Sequence, residues 1–184
     1  VFHSHADAVL LLTNTSRSAE LVHEVFGDHA AVVAYQRPGF ALSKEVAEAF
    51  RTSPGARGVF LLNHGLVTWG NSPAEAYDTH IDLVSRALTF ARSAPKTQVF
   101  VRDAAFASVN AEERRSLAAR AAPVLRGVLS KRRPVILSFD DNDESLSFAS
   151  SSTARRAAQA GAATPDHILT TKNLPLWLDL PANA

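Results

Sequence analysis

Cysteine and methionine are both absent from the 184 residues. Without cysteine there is no disulfide framework, no iron–sulfur site, no thiol nucleophile and no Cys-type zinc finger. Such a composition fits a reducing cytoplasm, and it leaves histidine as the nitrogen source for any metal site. An excess of one charge is also missing. Lys+Arg is 19 and Asp+Glu is 18, a net charge of +1, which gives no reason to expect nucleic acid or an anionic membrane surface as partner. No apolar run approaches the roughly 18–20 residues of a membrane span. Val1-Phe2-His3-Ser4-His5 has no basic n-region of a signal peptide. The eight glycines are scattered, so no dinucleotide fingerprint, P-loop or nucleophile elbow forms around them. What remains is 46% hydrophobic and 20% charged, long enough to bury a core of its own.

The pattern alternates strands and helices. Val1-Phe2 reads as the end of a strand, an abrupt opening that predicts a missing front to the domain. Helices are expected over Ala6–Thr13 and over Ser18–Phe26, the second capped by Ser18 and stopped by Gly27. Ala30–Tyr35 reads as a strand. Ser43 caps a helix through Phe50 with Val46, Ala47 and Phe50 on one face. Gly58–Asn63 is a continuous apolar run suited to a strand buried on both faces, and Leu66–Trp69 forms a hairpin with it. Ser72, Pro73 and Glu75 make a capping box with proline at N1. The helix that follows runs to about Arg92 with Tyr77, Ile81, Val84, Leu88 and Ala91 as its core stripe. After a linker around Lys96, Asn110 and Glu113 cap a helix over Ala111–Ser130 that Pro123 should kink or divide. A strand is expected over Pro134–Phe139, an acidic turn over Asp140–Asp143, and short helices over Glu144–Ala149 and Ala154–Ala160. The tail Thr164–Pro181 reads as irregular. Residues 1–184 read as one α/β domain, or α+β if the strands are antiparallel.

Chemistry concentrates in histidine. In a strand, residues i and i+2 share a face, so His3 and His5 stand roughly 6–7 Å apart at a rise of about 3.3 Å per residue. That spacing lets both reach one divalent ion, although surface histidines also occur in this pattern. His64 sits where a buried strand meets a glycine, a place that suits a functional group or a histidine satisfied by backbone. His167, in Thr-Pro-Asp-His, could act on a substrate or cap a turn. His23, His29 and His80 read as structural or solvent-facing. Lys44, Lys96, Lys131 and Lys172 lie in polar stretches, and none looks buried enough to form an imine.

Taken together, His3-Ser4-His5-Ala6-Asp7, then Leu61-Leu62-Asn63-His64-Gly65-Leu66, then Trp69-Gly70 and Glu75-Ala76-Tyr77, resemble the class II aldolase/adducin family. The tail from Ala163 to Lys172 is similar to the aldolase part of bifunctional rhamnulose-1-phosphate aldolase/alcohol dehydrogenase proteins. The resemblance implies a three-layer fold, a central mostly antiparallel sheet flanked by helices. It implies a divalent metal, usually zinc, on His3, His5 and His64, with Asn63 and His167 as substrate-binding candidates and Tyr35 as a further one. The implied reaction is metal-dependent cleavage of a ketose 1-phosphate such as rhamnulose 1-phosphate through a metal-stabilised enediolate. Alternatives are a pentulose-phosphate 4-epimerase or a decarboxylase on the same site, or a non-catalytic adducin-like binding module. The acid/base glutamate is expected upstream of His3, so no catalytic residue is assigned within the chain. The implied partner is a small-molecule sugar phosphate, and the implied assembly a homotetramer, with a dehydrogenase fusion beyond the tail.

Overall fold

The computed structural model describes residues 1–95, 99–103 and 109–179. Contacts divide the chain into two compact units. One comprises Val1–Lys96 with Gly161–Asn173, and the other Thr97–Ala160 with Leu174–Ala184. The linker expected around Lys96 lies outside the described residues.

The first unit is built on four strands, β1 (Phe2–Ser4), β2 (Ala30–Val33), β3 (Gly58–Leu61) and β4 (Gly65–Thr68), in the order β1-β4-β3-β2. β1 and β3 both run antiparallel to β4, while β2 is parallel to β3. The sheet is therefore mostly antiparallel, as the resemblance implies. β2 stops at Val33 rather than at Tyr35 because its partner β3 ends at Leu61, where the turn into β4 begins.

Helices cover both faces. α1 (Asp7–Thr13), α2 (Ser18–Phe26) and α4 (Pro73–Ser93) pack on one side, and α3 (Phe40–Thr52) on the other. β3 is buried along its whole length and its side chains alternate between the two cores. Phe60 joins Val9, Leu12, Val22, Phe26, Leu66 and Leu83 on one face. Val59 and Leu61 join Ala31, Val33 and Leu42 on the other. Each fully buried Leu or Phe contributes roughly 1.5–3 kcal/mol by leaving water, so this double-faced strand anchors the unit.

Local signals behave unevenly. Ser72 accepts from the Glu75 amide at 3.1 Å and Pro73 opens α4 as expected, but the Glu75 carboxylate takes the Asn71 amide at 2.7 Å, one residue before Ser72, so the box closes on one side only. The buried stripe of α4 differs, however. Ala76, Thr79, His80, Leu83 and Ala87 face the core, while Tyr77 and Ile81 are exposed. Val84, Leu88 and Ala91 are half-buried at its edge. The helix is thus turned by about one residue, ~100°, from the face that its largest apolar residues suggest. Small alanines let it approach the sheet closely, and Tyr77 instead meets Phe2 edge-on at 5.3 Å. α2 begins at Ser18 itself, with Arg17 at the cap position. α3 begins at Phe40, and the Ser43 hydroxyl bonds back to the Gly39 carbonyl from inside the helix.

The second unit holds α5 (Ala111–Leu129), α6 (Asp143–Ala149) and α7 (Ala154–Gln159). The Asn110–Glu113 capping box forms. Pro123 neither ends nor divides α5, which continues through it. One lost backbone bond is carried by a helix of 19 residues. Pro134–Phe139 forms no strand. A strand needs a ladder; here Arg126 Nε takes the Val135 carbonyl and the Ser130 hydroxyl takes its amide. The tail corrects another expectation. α8 (Pro165–Thr170) forms there, started by an extended Thr164, proline at N1 and Asp166 in the first turn, a start signal that the two later prolines of the tail sequence, Pro175 and Pro181, obscure. α8 belongs to the first unit.

Ser72→Ala removes the α4 cap and should cost about 1 kcal/mol, read as a lower urea midpoint at unchanged slope.

Candidate metal centre

The site is assembled where β1 lies against the β3–β4 turn. Among the described residues β1 stands at one end of the sheet order, with His3 opposite Val67 and Ser4 opposite Leu66. Alternation sends His3 and His5 to one face and Ser4 to the other. On the other side of the ladder, residues 62–64 turn the chain from β3 into β4. Asn63 takes a left-handed conformation at φ 57°, which asparagine tolerates better than most residues. The turn is tied down by Leu62 N–H to Val33 O, Asn63 N–H to Thr13 O and His64 N–H to Leu61 O. His64 is thereby delivered to the same place as the two strand histidines.

One nitrogen each from His3, His5 and His64 lies within 4.8 Å of the others. His3 Nε2 and His5 Nε2 are 3.1 Å apart, and ring centroids are separated by 4.8 to 5.3 Å. Nitrogens sharing one tetrahedral divalent ion at about 2.0–2.1 Å stand ~3.4 Å apart. His3 Nδ1 is 2.9 Å from the Leu66 carbonyl oxygen. A carbonyl only accepts, so Nδ1 carries the hydrogen and Nε2 is bare. His5 Nδ1 lies 3.1 Å from Asp166 Oδ2. His64 is buried, and its Nδ1 has no hydrogen-bond partner. An orphaned buried donor or acceptor is costly, and together with the bare His3 nitrogen it makes a donor set that fits a divalent cation. Exposure grades from His3 outward in solvent to His64 within, leaving one side open.

Burial lowers the His64 pKa below its usual value, with the neighbouring His3 and His5 adding to the effect. Burial, and then His3, lowers that of His80. His80 is structural. It lies behind the site, 3% exposed, between Ser4 Oγ at 2.6 Å and Thr68 Oγ1 at 3.1 Å. Thr68 spends its hydroxyl hydrogen on the Ala76 carbonyl, so it accepts from His80 Nδ1, and His80 Nε2 accepts from Ser4. This relay pins the reverse face of β1 to α4.

The other sequence candidates fall elsewhere. Asn63 Nδ2 points to Asn14 Oδ1 at 3.4 Å, beside the cluster through the turn it shares with His64. His167 is exposed and bonds Thr164 Oγ1 through Nδ1 at 2.8 Å. Tyr35 is exposed beyond β2. His23 and His29 face solvent, as do Lys44, Lys131 and Lys172. Two contributors escape sequence reasoning, Asp166 and the His80 relay. Their partners lie 161 and 76 residues away, and only the Thr-Pro-Asp helix start marks Asp166 as an ordered residue.

The family model for the class II aldolase and adducin N-terminal domain matches residues 1–89, and that for the class II aldolase second domain matches residues 116–184. The chain belongs to the class II aldolase family. The histidine cluster falls in the first matched stretch and Asp166 in the second. The chain is 33% identical over 179 residues to the protein named uncharacterized oxidoreductase YuxG of Bacillus subtilis (strain 168), covering 97% of this chain and 26% of that protein. It thus spans about a quarter of the length of this relative. A solved structure described as the N-terminal class II aldolase domain of a conserved protein from Thermoplasma acidophilum is 46% identical, over 49% of this chain and 41% of that one, with a TM-score of 0.45. Among the described residues no helix is long and apolar enough to cross a membrane.

Two outcomes follow from this geometry. A Cβ at Gly65 would run into the Ser4 carbonyl oxygen and reach within 3.1 Å of His5 Cδ2. Gly65→Ala should therefore push β1 away and cost about 1–3 kcal/mol as overpacking, measured by chemical denaturation. Because the folded-state pKa of His80 lies below its unfolded value, the folded state binds fewer protons. Stability is full above the unfolded pKa of about 6.5 and falls as pH drops through and below it. Urea midpoints from pH 8 to pH 5 should show this, and His80→Gln should flatten the slope.

Proposed function

We propose that this chain carries the metal centre of an aldolase that cleaves a ketose 1-phosphate, rhamnulose 1-phosphate in the first instance, to dihydroxyacetone phosphate and an aldehyde. The observation that carries this reading is the convergence of three imidazoles, two from β1 and its immediate end and one from the β3–β4 turn, with one bare nitrogen and one orphaned buried nitrogen among them. His3, His5 and His64 would hold a divalent cation, zinc by the nitrogen-rich donor set. When bound, the cation supplies Lewis-acid stabilisation to negative charge developing on the substrate oxygens.

The chain's own residues do the rest. Three neutral imidazoles leave coordination positions for a substrate. The Leu66 carbonyl fixes which nitrogen His3 presents. Burial keeps His64 neutral toward lower pH, as a ligand nitrogen requires. The described lysines other than Lys172 are Lys44 and Lys131, and all three are exposed, which argues against an imine route through a desolvated amine. The ligand histidines are not assigned as the proton-transfer group of the reaction.

Kinship to a relative named as an oxidoreductase, of which this chain matches about a quarter, supports an arrangement in which an aldolase part works beside a dehydrogenase in one longer protein. Assembly as a homotetramer on a small sugar phosphate in the cytoplasm completes the reading.

Elemental analysis joined to a retro-aldol assay tests it. This chain should contain close to one divalent ion, and the full-length protein that carries it should release dihydroxyacetone phosphate from rhamnulose 1-phosphate. His64→Ala should weaken metal retention by more than about 100-fold, beyond the usual effect of changing an outer residue. Metal content below a few tenths of an equivalent, unchanged by that substitution, would sink the metal centre and favour a binding module. Interconversion of pentulose phosphates without cleavage would replace the aldolase by an epimerase.

A further inference from the structure

We infer that Asp166 is a positioning residue for the metal centre: its carboxylate holds His5 in the tautomer that turns a bare Nε2 toward His3 and His64. This rests on the reading of the three histidines as a metal centre, and extends it to a residue that comes from the far end of the chain.

An ionised carboxylate only accepts, and a neutral imidazole carries one N–H. Asp166 Oδ2 at 3.1 Å from His5 Nδ1 therefore places the hydrogen on Nδ1 and strips it from Nε2. The Leu66 carbonyl does the same to His3. The two Nε2 atoms that result face one another at 3.1 Å. Two lone pairs at that distance repel, unless an electrophile shared between them converts the repulsion into attraction. A histidine whose other ring nitrogen donates to a carboxylate is the arrangement by which ligand imidazoles are oriented and made more basic. The two strand ligands are thus oriented by two different devices, a backbone carbonyl built into the ladder and a side chain delivered from α8.

Asp166 is delivered by a fastened segment. Asn14 Nδ2 donates to the Ala163 carbonyl at 2.6 Å, Asn173 Oδ1 accepts from the Ala162 amide at 3.1 Å, and Thr170 Oγ1 donates to the Asp166 carbonyl at 2.6 Å. Thr164, at the cap position of α8, is buried. Stability alone does not account for the placement. The Asp166 side chain is 61% exposed, and exposed ion pairs contribute only about 0–1 kcal/mol. Bringing together groups 161 residues apart is better explained by what the contact does to His5. Asn14 also meets Asn63 of the turn that carries His64, so the same anchor touches both the returning segment and the third ligand's turn.

The test compares wild type with Asp166→Ala, Asp166→Asn and, as a control for loss of surface charge, Asp78→Ala, an exposed carboxylate on α4. Zinc is titrated against a chromophoric chelator, and His5 in the metal-free protein is read by long-range proton–nitrogen NMR. Asp166→Ala should bind zinc about 10–100-fold more weakly, the usual effect of losing such a partner. It should also move His5 from Nδ1–H toward Nε2–H, with an unchanged urea midpoint. Asp166→Asn should lose less, because its amide oxygen still accepts. An unchanged His5 tautomer in Asp166→Ala, or an equal loss of affinity in Asp78→Ala, would overturn the inference. Failure of the wild type itself to bind zinc would overturn the metal-centre reading beneath it.

Discussion

Among the described residues β1 joins the sheet through its ladder with β4, where Phe2, His3 and Ser4 are set opposite Thr68, Val67 and Leu66. That pairing is what the site depends on. A one-residue slip would turn His3 and His5 to the reverse face and bring Ser4 forward. The ladder also sets how far β1 lies from the β3–β4 turn, and therefore the distance from His5 to His64. Gly65 permits the approach, since its missing Cβ leaves room for the Ser4 carbonyl. Among the described residues β1 makes three ladder pairs, all with β4, and side chains on its two faces add to that hold.

Both faces of β1 supply that hold. Behind it, Phe2 packs on Tyr77 and His80, and Ser4 bonds His80, which is itself bonded to Thr68. In front, the imidazoles reach Leu66 and Asp166. Edge strand, hairpin, α4 and the returning segment at α8 thereby meet at a few side chains. Burial acts in the same direction electrostatically, because it disfavours protonated His64 and His80. A neutral His64 keeps a lone pair, and a neutral His80 keeps the acceptor that Ser4 needs.

Much of the fold was legible where the determining interactions are local. The Ser72–Glu75 and Asn110–Glu113 caps join residues three apart, and the apolar run at Gly58–Leu61 needs no partner to be recognised as buried. Legibility failed where a neighbour decides. Tyr77 and Ile81 look like core residues by periodicity, yet α4 approaches the sheet through Ala76 and Ala87, because close packing favours small side chains at the nearest point. Pro134–Phe139 has strand composition without a ladder. Pro165–Thr170 has a sound helix start that a proline-rich surrounding disguises. His80 is polar by type and buried in fact, since two hydroxyls satisfy it.

The sequence by itself determined the family, the mixed α/β character of the chain and the three candidate histidines. A strand dipeptide step and a turn before glycine are short-range patterns, and the joint spacing of His3, His5 and His64 matches one template. Tertiary structure alone decided that these imidazoles converge, which nitrogen His3 presents, and that Asp166 and His80 serve the same strand from opposite faces. The physical reason is sequence distance. Hydrogen bonds across 63, 76 and 161 residues exist only after the sheet has set its register and the tail has folded back, and no local pattern encodes either partner.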